Sequence, residues 1–100
     1  KNETFLRTLF VGGIRNMPKP KTSTGEKNLI SQRLIELRRQ HNMSQRLLAY
    51  QLQLNGYDMD KNVITRIETN KRYVTDVELK AFTEIFHVSY EYLIEGKEKS

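Results

Sequence analysis

NVITRIETNKRY, residues Asn62 to Tyr73, reads as one short helix and its exit. Val63, Ile64 and Ile67 fall at i, i+1 and i+4, which gives the helix one apolar side. Lys61, Asn62, Thr65 and Arg66 project from its other faces. After Glu68 the chain leaves through Thr69 and Asn70, and Lys71 and Arg72 follow at once. A helix this short does not stand alone in water, so its apolar side must dock on other elements. What it offers to solvent is cationic and amide-bearing, suited to phosphates and base edges. In isolation a plain solvated helix face reads the same way, so the neighbouring segments decide.

Upstream, Asp60 caps this helix, residues 61 to 68, and Met59 reads as an apolar plug beneath it. Asn55-Gly56 supplies the left-handed stop of a preceding helix, Gln45 to Leu54, whose N-cap is Ser44. Leu47, Leu48, Leu52 and the small Ala49 make the expected buried side of that helix. Before it, Glu26 to His41 forms a helix with Ile30, Leu34, Leu37 and His41 on one stripe and Ile35 beside them. Arg33, Arg38 and Arg39 lie off that stripe. Downstream, Thr75-Asp76-Val77-Glu78 is a capping box that opens a helix running to about His87. Its apolar content is Val77, Leu79, Phe82, Ile85 and Phe86. Ser89 then caps a short helix, Tyr90 to Glu95, ended by Gly96, with Tyr92 and Leu93 inward. The pattern predicts an all-α domain of five helices over residues 26–100.

Residues 1–25 read differently. In Lys1 to Val11, Asn2 caps a short helix with Phe5, Leu6, Leu9 and Phe10 on one side, or Phe5, Arg7, Leu9 and Val11 alternate as a strand. Gly12 to Gly25 holds both prolines and a KPKTSTG run, the composition of an extended linker whose Lys19 and Lys21 keep it soluble or touch phosphate. The apolar segment ahead of it needs a burial site, either on its own domain or on a second copy. Tyr90 and Tyr92 offer a competing surface for self-association.

Composition bounds the function. With 100 residues, 37% hydrophobic, the chain makes one small domain with a compact core. The absence of cysteine excludes disulfides, thiolate metal sites and thiol catalysis, and fits a reducing compartment. No apolar run approaches a membrane span. Net charge is +5, but residues 1–75 carry fourteen Lys/Arg against six Asp/Glu, while residues 76–100 carry three against six. A basic front and an acidic tail orient a molecule in the field of a polyanion. His41 and His87 are isolated, no carboxylate pair converges and no glycine loop cradles phosphate, so neither enzyme, metal nor cofactor is expected.

Taken together these segments resemble the phage-repressor (Cro-like, Xre) helix-turn-helix family over about residues 28–96. RLIELRRQHNMSQRLLAYQL resembles the first two helices of that family, with Ser-Gln opening the second and Leu-Ala inside it. ITRIETNKR resembles the recognition helix and its exit, and FHVSYEYLIEG the last turn. Two departures stand out. The tight turn after Leu52 is lengthened here through Gln53 to Asp58, which tilts the recognition helix or presents Tyr57 and Asp58 at the DNA edge. Asn70 stands where the family often has Gly, and Asn tolerates the same left-handed backbone.

The resemblance implies a lambda-repressor-like fold that binds double-stranded DNA, as a cytoplasmic, bacterial or phage-encoded transcriptional regulator, a repressor rather than an activator. It implies a homodimer, and no membrane or small-molecule partner is inferred. It also implies that the third helix enters the major groove, N-terminal end toward the bases. Lys61, Asn62, Thr65 and Arg66 are then the base-edge candidates, with Arg66 suited to guanine and Asn62 to adenine. Ser44 and Gln45 at the start of the second helix, and Asn70, Lys71 and Arg72 beyond the third, are the phosphate candidates. Glu68, acidic in a basic surface, reads as structural, pairing with Arg38 or Arg39. The rival reading is a protein-binding module of the same fold, an antitoxin or adaptor.

Overall fold

A computed structural model describes residues 21–97, and every helix among them is α. The order is α1 (Ser31–Gln40), α2 (Gln45–Leu54), α3 (Lys61–Glu68), α4 (Asp76–Phe86) and α5 (Tyr90–Glu95), with no strand among the described residues. The reading of Lys1 to Val11 as helix or strand, and of the linker up to Pro20, falls outside them. None of the described helices is long and apolar enough to cross a membrane.

Local chemistry sets most of the helix ends. Ser44, Asp60, Thr75 and Ser89 each accept a hydrogen bond from the backbone three residues on, and Thr75 and Glu78 complete a reciprocal capping box. At the far ends the chain turns left-handed at Gly56, Asn70, His87 and Gly96. Asn70 adopts φ 58° without a glycine, because its short amide is held by partners described below.

The core is one cluster. Leu34 and Leu37 of α1, Leu48, Ala49 and Leu52 of α2, Ile64 and Ile67 of α3, Ala81, Phe82 and Phe86 of α4, and Leu93 of α5 close around it. α3 packs against both α1 and α2, and α4 against α2 and α5. Ala49 and Met59 are buried in the same cluster. Arg33 fastens α1 to α5: its guanidinium donates to the carbonyls of Leu93 (2.8 Å) and Ile94 (3.0 Å). A cation at those last carbonyls of α5 also opposes the negative end of the helix dipole.

Several apolar assignments need correction. α1 begins at Ser31, not Glu26, because Asn28 is drawn into contacts with the exit of α3 and leaves the chain before Ile30 outside the helix. His41 is not in the core: it caps α1 exposed, its Nδ1 3.0 Å from the Leu37 carbonyl oxygen and its ring edge-on to Phe86 at 5.0 Å. Leu47 is 40% exposed, since the side of α2 that buries Leu48 and Leu52 turns Leu47, Tyr50 and Leu54 outward. Val77 is exposed too, in a first turn of α4 where Thr75 and Asp76 are also exposed.

Candidate nucleic-acid interface

α3 is short because Asp60 starts it and Asn70 turns the chain away, and its two sides differ in what they do with polar groups. On the inner side Glu68 is almost fully buried, its side chain 4% exposed. A carboxylate at a helix C-terminus is disfavoured by the dipole and by burial. Arg38 of α1 offsets both: its Nε and Nη2 reach the two carboxylate oxygens at 2.7 and 3.1 Å, a two-pronged ion pair. The remaining Nη1 of Arg38 donates to the Met43 carbonyl, which ties the loop between α1 and α2 to the same point.

Gln45 extends this network across α2 and α3. Its Nε2 donates to Glu68 Oε1 at 2.8 Å, and its Oε1 accepts from Thr65 Oγ1 at 2.8 Å. Thr65 Oγ1 also lies 3.0 Å from the Lys61 carbonyl. Both ends of the Gln45 amide are therefore engaged inside the protein. At the start of α2, Ser44 Oγ accepts from Leu47 N, while the N–H groups of Gln45 and Arg46 have no partner among the described residues.

On the outer side Lys61, Asn62 and Arg66 are exposed, and their side chains make no hydrogen bond or ion pair among the described residues. Thr65 stands between the two sides, half-buried. The four base-edge candidates thus share one element, but Thr65 is committed inward and three are open. Asp60, at the N-terminal end of α3, is also exposed, its carboxylate accepting from Val63 N.

The phosphate candidates divide in the same manner. Lys71 is exposed and its ammonium group has no hydrogen bond or ion pair among the described residues. Arg72 is half-buried and gives its Nη1 to both Glu78 oxygens at 2.7 and 2.8 Å. Asn70 has both amide ends in use: Oδ1 accepts from Asn28 N at 3.2 Å and Nδ2 donates to Ser31 Oγ at 2.7 Å.

Asn28 itself was missed by the sequence reading. It is buried, donates from Nδ2 to the carbonyls of Ile67 and Arg72 at 3.1 Å each, and accepts from Ile30 N. An asparagine ahead of an apolar run carries no signal that it will cap the exit of another helix. The Tyr57 hydroxyl donates to Glu84 of α4, and this carboxylate raises the Tyr57 pKa above the usual tyrosine value by accepting that bond. The lengthened connection is pinned to the body by this bond, by Gln53 Nε2 to the Met59 carbonyl (3.0 Å), and by the buried Met59.

Among the described residues no three His, Asp or Glu side chains converge as metal ligands would. Comparison with protein-family models, with curated proteins and with solved structures returned no match.

Proposed function

We propose that this chain is a lambda-repressor-like domain that binds double-stranded DNA sequence-specifically, as a transcriptional repressor working as a homodimer in a bacterial or phage-infected cytoplasm. One observation carries the reading. The acidic residue of α3 is turned inward and neutralised, while Lys61, Asn62 and Arg66 stand outward and unpartnered on an eight-residue helix flanked by Lys71. Such a helix projects hydrogen-bond donors into a major groove with no exposed carboxylate among its own residues 61–68. Arg66 is suited to a two-pronged bond with guanine, and Asn62 to one with adenine. Lys71 holds the backbone beyond. At α2 the free N–H groups of Gln45 and Arg46, rather than the engaged Gln45 amide, take a phosphate at the positive end of the helix dipole.

Selection of bound duplexes from a random pool tests this directly. The expected result is one enriched motif, bound with an affinity that falls steeply as salt rises, with a log–log slope near about −0.9 per neutralised phosphate. Failure to retain any duplex at low salt would sink the reading.

A second reading rests on a different observation. Leu47, Tyr50 and Leu54 form an exposed apolar stripe at i, i+3 and i+7 on α2, the spacing of a helix face that receives a partner protein. An antitoxin or adaptor of the same fold would use it, and its binding would respond weakly to salt.

A further inference from the structure

At the C-terminal end of α3 four cations surround one open hollow. Lys27, from the segment leading into α1, Arg66 of α3, and Lys71 and Arg72 from its exit line a depression of about 400 Å³ with Tyr73 and Thr75. The four come from two stretches of chain far apart in sequence. Arg72 is largely answered by Glu78, which leaves Lys27, Arg66 and Lys71 as the cations without a carboxylate partner among the described residues.

The two walls are locked together by paired asparagines. Asn28 N donates to Asn70 Oδ1, Asn70 Nδ2 donates to Ser31 Oγ, and Asn28 Nδ2 spans the carbonyls of Ile67 and Arg72. Each asparagine is next in sequence to one of the open lysines: Lys27 precedes Asn28, and Lys71 follows Asn70. The backbones that carry the two ammonium groups are therefore fixed relative to each other at the hollow. Lys27 is further steadied over the Tyr73 ring, its Nζ 5.9 Å from the centroid. Cations that line one hollow without a carboxylate partner repel one another, and an anion seated among them lowers that cost. Because the walls are already ordered, seating that anion costs little conformational entropy.

We propose that this hollow seats one backbone phosphodiester of the bound duplex, gripped by both Lys27 and Lys71, with Arg66 reaching past it to the base edges. The inference rests on the DNA reading of α3, and it adds Lys27 as a contact that fixes how α3 is registered in the groove.

The experiment measures duplex affinity over a range of salt for the full chain and for Lys27→Ala, Lys71→Ala, the double variant, and Lys80→Ala as a control that pairs with Glu84 on α4. All three positions are exposed, so folding is expected to be unaffected. Each of the two single changes in the hollow should weaken binding about tenfold and flatten the salt slope by about one. The double variant should lose less than the product of the singles, because both lysines act on one phosphate. Inorganic phosphate, added at constant ionic strength, should not displace the duplex. If the wild type binds duplex with a steep slope but Lys27→Ala behaves like Lys80→Ala, this inference falls and the DNA reading stands. Losses that simply multiply would place the lysines on separate phosphates and overturn the shared seat. Displacement by inorganic phosphate that disappears in Lys27→Ala would make the hollow a free-anion site and overturn it as well. No duplex binding by the wild type would overturn both readings at once.

Discussion

The inner and outer sides of α3 are made of similar residue types and put them to opposite use. Inward, Glu68, Thr65 and the facing Arg38 and Gln45 satisfy one another across three helices. Outward, the side chains of Lys61, Asn62 and Arg66 have no hydrogen bond or ion pair among the described residues. Arg38 and Arg66 differ here in whether a carboxylate meets the guanidinium, not in kind. The inner network fixes where α3 sits, and that placement gives the outer side a defined shape to present.

Changes on each side should therefore separate stability from binding. The largest effect is expected inside. Arg38→Ala strands the buried Glu68 carboxylate, and urea unfolding should show a loss of about 3–5 kcal/mol, or no folded state. An unchanged midpoint would mean that the ion pair does not organise α3, and the contrast between the two sides would collapse.

On the outer side Arg66→Ala should leave unfolding within about 0.5 kcal/mol of wild type. It should cost about 1–3 kcal/mol of affinity on the preferred duplex and relax the choice at one base pair. A uniform loss on matched and scrambled duplexes would make Arg66 a phosphate residue instead.

Asn28→Ala is predicted to destabilise by about 1–2 kcal/mol in a thermal melt, since the carbonyls of Ile67 and Arg72 lose the Asn28 amide and Ile67 keeps only the Asn70 N–H. If stability does not move, the asparagine lock is not a structural element and the ordered walls of the hollow lose their explanation.

The smallest effect concerns the connection before α3. The Tyr57 hydroxyl donates to Glu84, which favours the protonated phenol and raises its pKa above about 10. The bond contributes to stability below the ordinary tyrosine value and is lost as pH rises through the raised one. Ultraviolet titration of the phenolate should place Tyr57 higher in the wild type than in Glu84→Gln. Equal titration in both would show that the connection is not pinned there in solution.

The helix ends were legible in the sequence because capping is a local matter. Ser44, Asp60, Thr75 and Ser89 act over three residues, Gly96 acts on its own backbone, and these positions read the same in a list of letters as in space. The 3.6-residue repeat likewise marked Leu34, Leu48, Ile64, Phe82 and Leu93 as core, because a helix must hide its apolar side somewhere. The pattern was least accurate where two apolar neighbours compete for one side, as with Leu47 and Leu48, and where a polar residue overrides the repeat, as Asn28 does at the start of α1.

Charge and amide composition around α3 was determined by the sequence alone, and so was the expectation that Glu68 is structural. Which of those groups remain open to a ligand was decided only by the tertiary structure. Arg38 meets Glu68 across 30 positions, Asn28 meets Asn70 across 42, and Gln45 spends its amide on residues 20 and 23 positions away. A hydrogen-bonding side chain has few donors and acceptors, and a buried one must use them within the protein. No local pattern states which distant group will arrive to claim them, so the division between the residues that build this surface and those it presents exists only once the helices have packed.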